Sequence, residues 1–270
     1  MNGSFGVIFR RTLYDHRRSM LWWSVGLGAL AFYVTVVYPL ISEFEQINEL
    51  LQNPVFGAIF GNIAELDYTS PEGFLGIEFF SWAPLVLAVF AVIFGGNIVG
   101  GEEERGTLDI LLSTPIPRWR VIVEKYLAFI VMLVVILAFT GLAIVVAVEI
   151  TPDLEMDMFK IAQAMLNIMP VMLLITSLTL FLTTVVRTRG QAGGLAAAFL
   201  VASYFINSFA DMTDVAVLRV LQHFSFYKYY GAFTVLRDGI HWGNFALLTG
   251  VAVALFGLAL FFFERRDLSV

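Results

Sequence analysis

The sequence predicts an all-α integral membrane protein. It has six transmembrane helices, an N-terminal amphipathic interfacial helix, a helical cytoplasmic connector and short extracytoplasmic helices. Three observations carry this reading. Of 270 residues, 59% are hydrophobic and 14% charged, whereas soluble domains carry about 25% charge. Mean hydropathy is +0.83. Apolar runs also recur at the length of about 20 residues that a helix needs to cross the hydrocarbon core. The whole chain, 1–270, reads as a single transmembrane domain.

Residues 1–19 form the first element. Within SFGVIFRRTLYDHR, the residues Phe5, Ile8, Phe9, Thr12, Leu13 and His16 share one helical face, and Arg10, Arg11, Tyr14 and Arg17 share the other. Such a basic amphipathic helix suits the membrane interface; the same pattern also fits an extension of the first span. That span covers about 20–40. Segment 41–78 is extracytoplasmic: Phe44, Ile47 and Leu51 make an apolar stripe before Asn53-Pro54, which reads as a short helix pair on the membrane surface. The second span runs over 79–100, and Gly95, Gly96, Gly100 and Gly101 leave room for a bend at its end. A connector, 101–121, leads to the third span at 122–148. The fourth (162–186) and fifth (190–209) are separated by Arg187, Thr188 and Arg189, which demands a tight hairpin. Segment 210–242, with the aromatic run HFSFYKYYGAF, is too apolar for a solvated loop and too broken to span. It reads as a cap or a partly re-entrant element, either of which must be buried by protein. The last span, 243–263, carries no charge.

Basic residues set the orientation. Both termini, the 101–125 segment and the 187–189 turn hold twelve of the sixteen Lys and Arg residues. The excess places that side in the cytoplasm. The opposite loops hold 14 of the 22 carboxylates, which agrees with this assignment. Trp22, Trp23 and Trp242 fall near span boundaries, as interfacial anchors or as packing residues. On the fifth span, Gly194, Ala198 and Ala202 recur every four residues. Small residues on one stripe permit close helix packing, between subunits or within one.

Several chemistries are excluded. The chain has no cysteine and three widely spaced histidines, so thiol catalysis, a disulfide framework and a histidine metal motif are absent. A pI of 5.1 argues against a nucleic-acid partner. GGNIVGG lacks the Gly-Lys-Ser/Thr end of a phosphate loop. Span interiors carry essentially no ionisable residue. Their polar groups (Asn97, Asn167, Thr176, Ser177, Thr183, Ser203, Asn207) suit helix–helix hydrogen bonds. Energy for any driven process must therefore come from another subunit.

The connector is the most specific stretch. Glu102, Glu103 and Glu104 follow the second span, and Thr107 can cap a short helix in which Leu108, Leu111 and Leu112 share a face. Asp109 favours its first turn, Thr114-Pro115 stops it, and Pro117 opens the next helix, with Arg118 and Arg120 behind it. An apolar ridge flanked by charge suits a protein interface.

At these residues, EEERGTLDILLSTPIPRWRVIVEKYLA, the chain resembles permease subunits of ABC-2 type ABC transporters. The likeness extends over the six-span plan, the SFYKYYGAF segment and the terminal FERRDL. It implies a membrane subunit of an exporter in the cell membrane of a prokaryote, with both termini cytoplasmic. The ATP-binding subunit would be a separate partner chain carrying ATP and Mg, and this chain would bind no cofactor and hydrolyse nothing. A second permease copy, identical or related, and membrane lipid complete the expected partners. The connector would be a coupling helix seated in a groove on the ATPase. Its docking set would be Glu102, Glu103, Glu104, Arg105, Gly106, Thr107, Leu108, Leu111, Leu112, Thr114, Pro115 and Arg118, with the N-terminal helix as a second contact. The cargo route would lie between the two copies along the first, second and fifth spans, whose uncharged lining favours an amphipathic or lipid-like molecule. A non-transporting anchor that recruits a cytoplasmic ATPase through the same connector stays open at this point.

Overall fold

The computed structural model describes residues 5–42, 70–101, 117–152, 154–186, 188–213, 215–232 and 234–265. All regular elements among them are helical. In chain order they are α1 (Val7–Ser42), α2 (Pro71–Leu75), a π-helical segment (Gly76–Phe80), α3 (Ala83–Ile98), α4 (Arg118–Ile150) and α5 (Met158–Val185). Then come α6 (Arg189–Met212), α7 (Ala216–Gln222), α8 (Phe226–Tyr230), α9 (Val235–Asp238) and α10 (Trp242–Arg265). Among the described residues, six stretches are long and apolar enough to cross a membrane, one overlapping each expected span.

The N-terminal region differs from expectation. No break separates the amphipathic stretch from the first span, because α1 is one helix of 36 residues. At 1.5 Å per residue it is about 54 Å long, against a hydrocarbon core of about 30 Å. The face assignment agrees with the structure except at Phe5, which is exposed. Thr12 is buried and Ile8, Phe9, Leu13 and His16 are half-buried, while Arg10, Arg11, Tyr14 and Arg17 are exposed. The apolar face is partly covered by protein: the Phe9 backbone N–H donates to Glu124 of α4, and the His16 ring meets Phe94 of α3 edge-on at 5.1 Å.

The second span also starts earlier than the hydropathy suggested, since 71–78 belong to it and not to a surface segment. Ser70-Pro71-Glu72 is a helix start. The Ser70 hydroxyl accepts the Gly73 N–H at 3.1 Å, Pro71 takes the first turn, and Glu72 faces the positive end of the helix. The π-helical turn at Gly76–Phe80 then shifts the register before α3 begins.

Helix α5 is the hub: α3, α4, α6, α8, α9 and α10 all pack on it. On its other side α4 runs alongside α1. The core between them is aromatic, with Phe90 stacked on Phe129 at 5.7 Å and Phe94 tilted against the same ring at 5.1 Å. The α5–α6 hairpin is tight, as expected, and the Thr188 hydroxyl accepts the Gln191 N–H to start α6.

The aromatic segment before the last span is buried protein, not a surface loop. Phe226, Tyr227, Tyr230, Val235 and Leu236 are all buried. The Tyr230 hydroxyl donates to the Phe80 carbonyl at 3.1 Å. That carbonyl would ordinarily accept from the residue four positions on, and this residue is Pro84, which has no N–H. The carbonyl of Tyr230 in turn accepts from Asn167 Nδ2 at 2.6 Å, just before Gly231 turns the chain at φ 60°. Burial pushes the Tyr230 phenol well above its ordinary value.

Candidate functional site

The ends of the bundle are chemically distinct. One end collects the start of α1, the end of α3, the start of α4, the α5–α6 turn and the end of α10, and with them Arg10, Arg11, Arg17, Arg18, Arg118, Arg120, Lys125, Arg189 and Arg265. The connector motif joins α3 to α4 at this basic end.

The residues expected to dock an ATPase, Glu102, Glu103, Glu104, Arg105, Gly106, Thr107, Leu108, Leu111, Leu112, Thr114 and Pro115, lie outside the described residues. Arg118 is the first residue of α4 and is half-exposed. Pro117 stands one position before it as the extended residue that caps the helix, with φ −62° and ψ 140°.

The connector's two anchor points are well defined. Upstream, α3 ends at Ile98, and Val99 closes it with φ −114° and ψ −57°, still in the right-handed region. The glycines near it serve packing more than bending. A Cβ on Gly95 would stand 2.8 Å from the Thr176 carbonyl of α5, and one on Gly100 would stand 3.0 Å from the Arg189 side chain. Glycine thus lets α3 approach the backbone of α5 and the first residue of α6. Downstream, α4 carries two adjacent charges inside its packed surface. Glu124 is 0% exposed and Lys125 8%.

Each of these charges caps a different helix. The Glu124 carboxylate accepts the Phe9 backbone N–H at 3.0 Å and the Arg120 Nε–H at 2.7 Å. Phe9 is the third residue of α1, and the first intrahelical bond of α1 comes one residue later, from Arg10 to Gly6. Its N–H is therefore one of the donors a helix start leaves unpaired. Lys125 Nζ donates to the Ile98 carbonyl at 2.9 Å, at the end of α3. A carboxylate sits at the positive end of one helix and an ammonium at the negative end of another, which is the favourable sense for both dipoles. The Arg120 guanidinium also covers the Phe5 ring at 5.2 Å.

Beside these contacts lies a cavity of about 480 Å³, lined among others by Thr12, His16, Phe94, Asn97, Gly101 and Lys125. Among the described residues, no group of His, Asp or Glu side chains is placed to hold a metal ion.

Sequence reasoning placed essentially no ionisable residue inside the spans and so passed over Glu124 and Lys125. The signal was present, because VIVEKYLAF sets two charges within an apolar run. Gly194, Ala198 and Ala202 lie on one exposed face of α6, and among the described residues a Cβ on Gly194 would meet nothing within 4 Å. Of the polar span residues, Asn167 and Ser177 do bridge elements, Ser177 through the Tyr126 hydroxyl at 2.7 Å. Thr183 bonds within its own helix, to the Leu180 carbonyl.

A comparison with curated proteins finds no match. The family model for ABC-2 family transporter proteins matches residues 7–268, nearly the whole chain. With six membrane-length helices and that match, the chain belongs to the ABC-2 transporter family and is a membrane permease of an ABC transporter.

Proposed function

We propose that this chain is the membrane half of an ATP-driven exporter whose energy arrives through residues 102–115 from a separate ATP-binding subunit carrying ATP and Mg. The observation that carries the reading is the connector's own composition. Three successive carboxylates and the Leu108, Leu111 and Leu112 ridge stand at the basic end of a bundle belonging to a transporter family. Two further features support it. Both helices flanking the connector are anchored at their ends, α3 by Lys125 and α4 by its pairing with α1. A connector mounted on anchored helices can pass displacement into the bundle.

In this reading the basic end is cytoplasmic, in a prokaryotic cell membrane, as the distribution of Lys and Arg supports. A second permease copy packs on the exposed α6 face around Gly194, Ala198 and Ala202, because open small residues let two helices approach closely. Cargo passes between the copies and leaves the cytoplasm. The apolar, uncharged exposed faces of α1, α3 and α6 favour an amphipathic or lipid-like molecule.

The test is co-purification from the native membrane in mild detergent. An ATP-binding subunit is expected with the wild-type chain. Glu104→Arg and Leu111→Asp should each lower its recovery by about tenfold, equivalent to ~1.4 kcal/mol, with insertion unchanged. Full binding and normal coupled ATP turnover in both variants would remove the docking assignment. ATP-dependent uptake into inverted vesicles separates an exporter from an anchor that only recruits an ATPase.

A further inference from the structure

We infer that Glu124 and Lys125 form a relay that delivers connector motion to α1, a helix at this end with no covalent link to the connector. This rests on reading 102–115 as the input of mechanical work.

The geometry supports a relay of this kind. The connector joins α3 to α4, so its displacement reaches those two helices through the chain. It reaches α1 only through contacts, and the polar contact at α1's first turn is the Glu124 carboxylate on the Phe9 N–H. Lys125, the next residue, holds the end of α3 through the Ile98 carbonyl. Two consecutive residues of α4 thus grip two other helices at opposite poles. Both side chains are buried, and the low local dielectric strengthens these bonds. Lower down, α1 stays in register with α4. A Cβ on Gly28 would stand 3.0 Å from the Phe139 ring, which leaves little room for the two helices to slide. The start of α1, α3 and α4 therefore move as one body, and Glu124 and Lys125 are its positioning residues.

Glu124→Gln and Lys125→Met are compared with wild type in the complex with its ATPase in lipid nanodiscs. Both variants should hold the ATPase normally and keep the KM for ATP, with kcat lowered at least fivefold. Glu124→Asp, which keeps the charge, should recover most of that loss.

Wild-type kcat in Glu124→Gln, or no recovery in Glu124→Asp, would overturn the relay and leave the docking assignment standing. A wild-type chain that holds no ATPase would overturn both. In that event amide hydrogen exchange on the permease alone shows whether Glu124 secures α1. A rise of at least tenfold over residues 7–12 in Glu124→Gln keeps the contact as a structural clamp.

Discussion

The Tyr230 hydroxyl and the Phe80 carbonyl, 150 residues apart in the chain, are joined by a hydrogen bond of 3.1 Å that repairs the break Pro84 makes in the second span. The neighbouring buried phenol, Tyr227, has no hydrogen-bond partner among the described residues. The pair yields an internal comparison. Tyr230→Phe leaves a buried carbonyl without its donor and should cost about 1–3 kcal/mol, whereas Tyr227→Phe removes an unpaired hydroxyl and should be neutral or stabilising. Thermal unfolding of the two variants in one detergent checks the order.

Both phenols should also resist ionisation. Burial raises Tyr230 well above 10 and Tyr227 likewise, with the neighbouring Tyr204 adding to the latter. A raised value in the folded state means the stabilisation is whole below about pH 10, the unfolded value. It is lost as pH rises beyond that, because only the unfolded chain ionises there. Absorbance titration of the tyrosines should show part of the phenolate signal appearing only with unfolding. A titration complete before any loss of helicity would contradict this burial.

The glycines of α3 and α6 should respond oppositely to enlargement. Gly95→Ala drives a methyl to 2.8 Å from the Thr176 backbone carbonyl, a group that cannot swing aside, so α3 and α5 must part. A destabilisation of about 1–3 kcal/mol follows. Gly194→Ala meets open space and should leave the single chain's stability unchanged. Gly194→Leu should weaken pairing of two copies while the monomer stays folded. Size-exclusion chromatography with mass detection distinguishes the two outcomes.

Sidedness can be read with single cysteines. Arg11→Cys lies at the basic end, and Val217→Cys on the exposed α7 at the other, where Val217 is 66% exposed. In intact cells a membrane-impermeant maleimide should label position 217 and spare position 11 until the membrane is opened. The reverse pattern would invert the orientation.

The spans were legible because crossing a bilayer imposes a length and a composition that one-dimensional sequence displays directly. The limits have local causes. Residues 5–17 show an amphipathic face, but the pattern is the same whether lipid or α4 covers it, and no proline or other break marks a boundary before Pro39. The start of the second span was written in Ser70-Pro71-Glu72, a capping signal that hydropathy alone does not weigh. Glu124 and Lys125 were visible as charges, but their partners Phe9 and Ile98 are backbone groups of distant helices, and periodicity carries no trace of such pairing. The connector's chemistry is local and could be read without a fold.

Docking of a cytoplasmic ATPase on residues 102–115 can be observed by placing a photo-crosslinking amino acid at Leu111 in the native membrane and identifying the adduct by mass spectrometry, with Phe224, at the opposite end and 76% exposed, as the control position. An adduct with an ATP-binding subunit is expected from position 111 and none from 224. No ATPase adduct at 111, or equal adducts at both positions, would contradict it.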